Sequence, residues 1–178
     1  MNESDEYQMK GVVVMKRIST LFGLTLLGGT LLLPSMAFAS AQDTIQRQFS
    51  SLTENAEEAH SGALGVQDVN QSNTSNPSDM RQQIDIIMPA EQAMRKDVNL
   101  LQAMQPNMTP AQRRALNTIT PAIRKLSANA EQLQSILDEH GIDVQSPSFK
   151  VIAGRIAREA NVVENQGRGV SPASAYAY

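Results

Sequence analysis

The stretch TPAQRRALNTITPAIRKLSANAEQLQSILDEHG, Thr109 to Gly141, decides the fold. Leu116, Ile119, Ile123, Leu126, Ala130, Leu133 and Leu137 recur at alternating steps of three and four, which draws one apolar seam along one side of a helix. Both ends carry helix punctuation. Thr109 and Gln112 have the spacing of a capping box, with Pro110 at the first helical position, where its missing N–H is no loss. Gly141 supplies a stop after His140. A helix from 110 to 139 is a rod of roughly 45 Å at about 1.5 Å per residue. Such a rod cannot bury its own seam, so the rest of the chain must supply partners.

Working outward, the residues on either side repeat the pattern. Asn76-Pro77 opens a helix whose face is Met80, Ile84, Ile87, Met94, Val98, Leu101 and Met104. Pro89 lies inside it and leaves two readings open, a kinked helix over 77–105 or two helices broken at Met88. Gln105 to Met108 makes a short turn into the rod, and short turns make antiparallel neighbours. Pro121 interrupts the rod itself, but the seam stays in phase on both sides, so a bent continuous helix is expected. After Gly141, Ser146-Pro147 starts a last helix with Phe149, Ile152, Ile156, Ala160 and Val163 on its face.

Towards the N-terminus the periodicity of Ile45, Phe49, Leu52, Ala56, Ala59 and Ala63 predicts a first helix over 42–60. Residues 61–76 are rich in Gly, Asn, Ser and Gln and read as a flexible linker. Met15-Lys16-Arg17, the apolar run Leu21 to Leu33, Pro34 and the small-residue exit have the layout of a secretory signal peptide over 15–41, cleaved after Ala39 or Ala41. Residues 1–14 then form an upstream extension or a misassigned start. The competing reading is an uncleaved anchor over Ile18 to Phe38, about 20 residues long. The helical core is expected over 77–166 and a disordered Ala/Ser/Pro tail over 167–178. The fold class is therefore all-α, a small antiparallel bundle or long helical hairpin of three to four helices with a disordered linker and tail, in the periplasm of a bacterium or secreted.

Composition narrows function mainly by exclusion. There is no cysteine, so disulfides, thiolate metal sites and cysteine nucleophiles are absent. Only two histidines occur, and no nucleophile elbow, phosphate-binding glycine loop or zincin helix is present, so the chain reads as non-enzymatic, with no catalytic or cofactor residues. Glu57 and His60 have the spacing of half a di-iron site, but the second pair is missing. Together with Glu54 and Glu58 they read as a solvated acidic face, and no metal site is assigned. Met80, Met88, Met94, Met104 and Met108 could offer thioethers to Cu(I), or simply fill a core poor in aromatics.

Charge is unevenly placed. From Asp43 to Glu91 eight carboxylates face only Arg47 and Arg81, whereas from 92 to 130 six bases, Arg95, Lys96, Arg113, Arg114, Arg124 and Lys125, face Asp97 alone. With Met104 and Met108 these bases form the candidate partner-binding set, while Thr109 and Gln112 are the helix cap. A net charge of −3 gives no argument for nucleic acid, and no small-molecule substrate is evident. The expected partners are another protein or a second copy of the chain, with membrane contact only through an uncleaved leader.

Met108-Thr109-Pro110-Ala111-Gln112, followed by Arg113-Arg114-Ala115-Leu116, resembles the LTxxQ motif of the small helical periplasmic proteins related to Spy and CpxP. Thr109 and Gln112 match the motif, Met108 stands in place of its Leu, and the motif occurs once. The resemblance implies an ATP-independent holding chaperone or envelope-stress modulator, dimeric, with a concave surface that is partly basic and partly apolar. The leading expectation is thus an exported protein that binds other macromolecules. The alternatives are a structural protein that assembles in the envelope and, behind it, a metal or small-ligand carrier.

Overall fold

The first helix is twice the length its composition suggests. In a computed structural model, which describes residues 33–72, 76–139 and 146–170, α1 runs Leu33–Gln71, α2 Pro77–Ala103, α3 Pro110–Glu139 and α4 Pro147–Arg168. A single 3-10 turn, Gln105–Asn107, joins α2 to α3. Among the described residues there is no strand, and the fold is all-α.

Each seam is buried as its periodicity requires. Ile45, Phe49, Leu52, Ala56, Ala59, Ala63 and Val66 of α1 are fully inaccessible, and so are Met80, Ile84, Ile87, Met94 and Leu101 of α2. Leu116, Ile119, Leu126, Ala130 and Leu133 of α3 meet Phe149, Ile156, Ala160 and Val163 of α4 in the same core. Aromatic rings are so few that Phe49 and Phe149 are the only ones among the largest fully buried side chains. The remaining volume is filled by aliphatic groups and methionine, which adapts to irregular gaps.

The helices form a ring in chain order. α1 packs along both α2 and α4, α3 packs on α4, and the α2–α3 contact that closes the ring is the thinnest of the four. Successive helices run antiparallel. Gln42 near the start of α1 reaches the carbonyl of Asn107 beyond the end of α2, and Asn70 near the end of α1 donates to the carbonyl of Ser146 before α4 at 3.0 Å. This is an up-down-up-down bundle.

Three expectations change. The expected linker over 61–76 is helical as far as Gln71, with only 73–75 outside the described residues. Glycine is there for proximity: Gly62 and Gly65 lie against Ile87, Ile86 and Gln83, where a β-carbon would crowd α2. Second, the core is not confined to 77–166, because α1 contributes a complete seam and begins before residue 42. Third, α4 extends to Arg168 and Val170 packs against the core, so residues 167–170 of the expected tail are ordered, and 171–178 lie outside the described residues.

Both internal prolines are accommodated in continuous helices. Pro89 and Pro121 are exposed, as are Asp85 and Asn117, whose carbonyls lose their helical donor and turn to water. Residues 15–32 of the expected leader and the site of the alternative anchor up to that point lie outside the described residues. Both candidate cleavage points fall within α1. No helix of the described residues is long and apolar enough to cross a membrane.

Candidate functional site

The α2–α3 hairpin carries all six bases of the candidate set, and its turn is fixed by the capping box. The Thr109 N–H donates to Gln112 Oε1 at 2.8 Å, and the Gln112 N–H donates to Thr109 Oγ1 at 3.2 Å. Gln112 is itself buried, and its Nε2 donates to Gln42 Oε1 at 3.1 Å, so the same side chain that caps α3 also holds α1. Sequence spacing identifies the cap. It does not reveal the second partner, 70 residues away.

The methionines next to the turn do not form a surface. Met108 is 4% exposed and part of the core, and Met104 is half-buried against it. Met108 therefore offers almost no surface to a partner, whereas Met104 keeps part of its side chain accessible; both continue the seams of the helices that they flank. Large apolar side chains that do face outward are Leu64, Ile86, Leu100 and Val151.

The bases are exposed and separate into two groups. Arg95 and Arg124 face each other across a cleft of about 230 Å³ whose other lining residues are Val98, Asn99, Gln102, Thr120 and Ile123. Positions 95, 98, 99 and 102 are one stripe of α2, and 120, 123 and 124 one stripe of α3. The cleft lies where the ring of helices is least tightly closed. Lys96 and Leu100 flank it on the outer side of α2. Arg113 lies eleven residues, about three turns, before Arg124 and so on nearly the same side of α3. Arg114 and Lys125 share the neighbouring stripe, and Lys125 turns to α4, with Nζ 4.0 Å from Glu159.

These bases are poorly compensated. Arg95 has Glu91 at 3.6 Å and Glu131 at 4.0 Å, but Lys96, Arg113, Arg114 and Arg124 have no ion pair with a described residue. Arg113 and Arg114 are the fourth and fifth residues of α3, where its first turn ends.

Two buried polar contacts hold α2 in place beneath this surface. Glu91, 3% exposed, accepts a hydrogen bond from the hydroxyl of Ser127 on α3. Asp97 accepts from Ser51 Oγ at 2.9 Å and Asn55 Nδ2 at 3.3 Å, both on α1. Burial pushes the Asp97 carboxyl above its ordinary value, against the opposing pull of those two donors and the Lys96 charge. Glu91 was legible: positions 80, 84, 87, 91, 94, 98 and 101 form an unbroken three-four seam, and a carboxylate sits on it.

Of the expected acidic face, Glu54, Glu57 and Glu58 are exposed and His60 is half-buried. Arg168 donates to Glu57 at 2.6 Å and lies 2.9 Å from Glu164, while His60 Nδ1 is 3.7 Å from Glu164. Hydrogen bonding to Glu57 holds the Arg168 guanidinium protonated still more firmly than usual. This cluster ties the end of α4 to the middle of α1. Among the described residues no group of three or more His, Asp or Glu is placed to hold a metal ion.

The chain matches no protein-family model, no curated protein and no solved structure. The functional reading therefore rests on the residues alone. Chemically, the cleft and its surroundings offer guanidinium and amide donors to an anion.

Proposed function

We propose that this chain is an exported, non-enzymatic helical bundle that binds other proteins in a chaperone-like way, through the basic face of its α2–α3 hairpin. The observation that carries the reading is the set Arg113, Arg114 and Arg124, three exposed cations of α3 without carboxylate partners among the described residues, beside exposed Lys96 on α2, the helix that α3 packs against least tightly. Such a field attracts acidic segments and raises their encounter rate. Export is supported by the leader-like pattern of 15–41, and the holding role by the resemblance of 108–116 to the LTxxQ motif.

The test uses the processed protein and an acidic client that aggregates when reduced, followed by light scattering. Near-stoichiometric protein suppresses the scattering, and the triple variant Arg113→Glu, Arg114→Glu, Arg124→Glu does not. No suppression at a large excess, or binding to anionic vesicles without any effect on the client, overturns the reading. Intact mass of the exported product tests the leader, since a terminus at Met1 or Met15 removes it.

One observation favours a second reading, self-assembly. α1 bears exposed Asp43, Glu54, Glu57, Glu58 and Asp68, and it stands across the ring from basic α3. Opposite charges on opposite corners suit a head-to-tail contact between copies. Sedimentation that stays monomeric at micromolar concentration and low salt excludes it.

A further inference from the structure

Within the basic face one concave place is drawn from two helices rather than from α2 alone. Arg95, Asn99 and Gln102 stand on one side and Thr120 and Arg124 on the other, with Val98 and Ile123, 5% and 3% exposed, as the apolar floor. We infer that this cleft is a subsite for one carboxylate side chain, a glutamate or aspartate of an acidic segment in the bound protein. The inference rests on the function proposed above and specifies the ligand chemistry of the same surface.

Size comes first. At about 230 Å³ the cleft falls short of the roughly 300–1,000 Å³ typical of small-molecule and cofactor sites. It suits a single side chain whose backbone stays outside. Its floor suits the methylenes of such a side chain, and its rim suits the head group: guanidinium forks bind a carboxylate bidentately, and the amide NH2 groups of Asn99 and Gln102 add neutral donors. The Thr120 hydroxyl gives its proton to the Leu116 carbonyl at 2.8 Å and is not counted among the donors.

Charge balance then selects among anions. Arg95 lies 3.6 Å from the buried Glu91 and 4.0 Å from Glu131, so its charge is already largely answered. Arg124 has no ion pair with a described residue. Arg124 is thus the one guanidinium of the cleft that no described carboxylate already meets, and a monovalent carboxylate pairs with it one to one. A phosphate dianion would bring a second negative charge towards Glu131 with nothing to meet it. Low-dielectric contact with Val98 and Ile123 strengthens the Arg124 pairing relative to one made at a bare surface.

The experiment titrates the processed full chain with a short peptide of consecutive glutamates, its glutamine counterpart and inorganic phosphate, and follows the side-chain amide resonances of Asn99 and Gln102. The glutamate peptide shifts both; the glutamine peptide and phosphate do not. Arg124→Gln weakens glutamate-peptide binding about tenfold, the usual scale for one charge-assisted contact. Arg113→Gln, on the same face but outside the cleft, weakens it about twofold. Both side chains are exposed and unpaired, so both variants keep the parent melting temperature, and Asn99→Asp gives a second loss of binding by placing a like charge in the cleft. Equal weakening by Arg124→Gln and Arg113→Gln, competition by phosphate as strong as by the peptide, or no peptide binding overturns the subsite. Client suppression that survives Arg124→Gln but fails in the triple reversal leaves the broader function standing and removes the cleft alone.

Discussion

Replacing Gly62 and Gly65 with alanine, one at a time, distinguishes a docked helix from a linker over residues 61–71. At an unconstrained interior helix position glycine-to-alanine gains about 1 kcal/mol, from backbone entropy. At Gly65 the nearest atoms to the new methyl all belong to the Gln83 side chain from Cγ outwards, which can swing aside, so most of that gain survives. At Gly62 it meets Ile87 Cγ1 at 2.9 Å, the backbone carbonyl of Gln83 at 3.1 Å and Ile86 Cβ at 3.3 Å. Ile87 is fully buried and the carbonyl belongs to the helix ladder, so neither can retreat without moving α2. Overpacking of this kind costs about 1–3 kcal/mol. The net expectation is a gain of about 0.5–1 kcal/mol for Gly65→Ala and a loss of about 1 kcal/mol for Gly62→Ala. At about 2–4 °C per kcal/mol the two melting temperatures should differ by roughly 3–8 °C, with Gly65→Ala the higher. Thermal melts followed by circular dichroism at 222 nm read this directly. Two equal gains would mean a helix that touches nothing, and two null results would mean no helix at all; either refutes the packing described for α1.

Asp97→Asn keeps an oxygen that can accept from Ser51 and Asn55 while removing the charge that burial opposes. Because the folded pKa lies above the ordinary 3.8, the native state holds the proton more tightly, and wild-type stability rises as pH falls from the raised value towards 3.8. The variant should match or exceed wild type at neutral pH and lose this acid-side gain, and identical pH profiles of the melting temperature would count against it. Gln112→Ala removes the acceptor for the Thr109 N–H and the bond to Gln42, for a loss of about 1–2 kcal/mol; Gln112→Glu retains the first and should fall between, as judged by urea midpoints. Phe149→Ala empties a site that is 1% exposed at the start of α4 and should cost about 3–5 kcal/mol in urea unfolding, whereas a loss under about 1 kcal/mol would mean that α4 is not part of the core.

The parts of this fold that depend on one helix at a time were legible. α3 declares itself through seven apolar positions in phase and a capping box, and Pro121 does no harm because its face is turned to water. α1 shows where composition misleads. Glycine, asparagine and serine over 61–71 resemble a loop, yet the seam Ile45, Phe49, Leu52, Ala56, Ala59, Ala63 and Val66 runs through them without a missed step. Periodicity was the stronger signal, since a small residue inside a helix is also what a close neighbour requires. The candidate site divides in the same way. The excess of bases over 92–130 is visible in the sequence, but which of them share a cleft depends on the pairing of α2 with α3. The burial of Met108 and the link from Glu57 to Arg168, 111 residues away, depend likewise on tertiary pairing.

That pairing needs an explanation of its own, because seams of alanine, leucine, isoleucine and methionine at uniform three-four spacing nearly superimpose on themselves after a slip of seven residues. Apolar burial alone would reward several registers about equally. The contacts that tell them apart are polar, and two of them fix α2: Glu91 with Ser127 on α3, and Asp97 with Ser51 and Asn55 on α1. A slipped α2 would leave two buried carboxylates facing apolar side chains, at a cost of several kcal/mol each. Glu91 has a further consequence for the surface above it. Its carboxylate lies 3.6 Å from Arg95, one turn along α2, and so ties a cation at the rim of the cleft to the residue that sets the α2–α3 register. The thinness of the α2–α3 contact and the fixed separation of Arg95 from Arg124 are then compatible: the two helices are held in register by a buried polar pair, which leaves the space between their outer stripes unfilled.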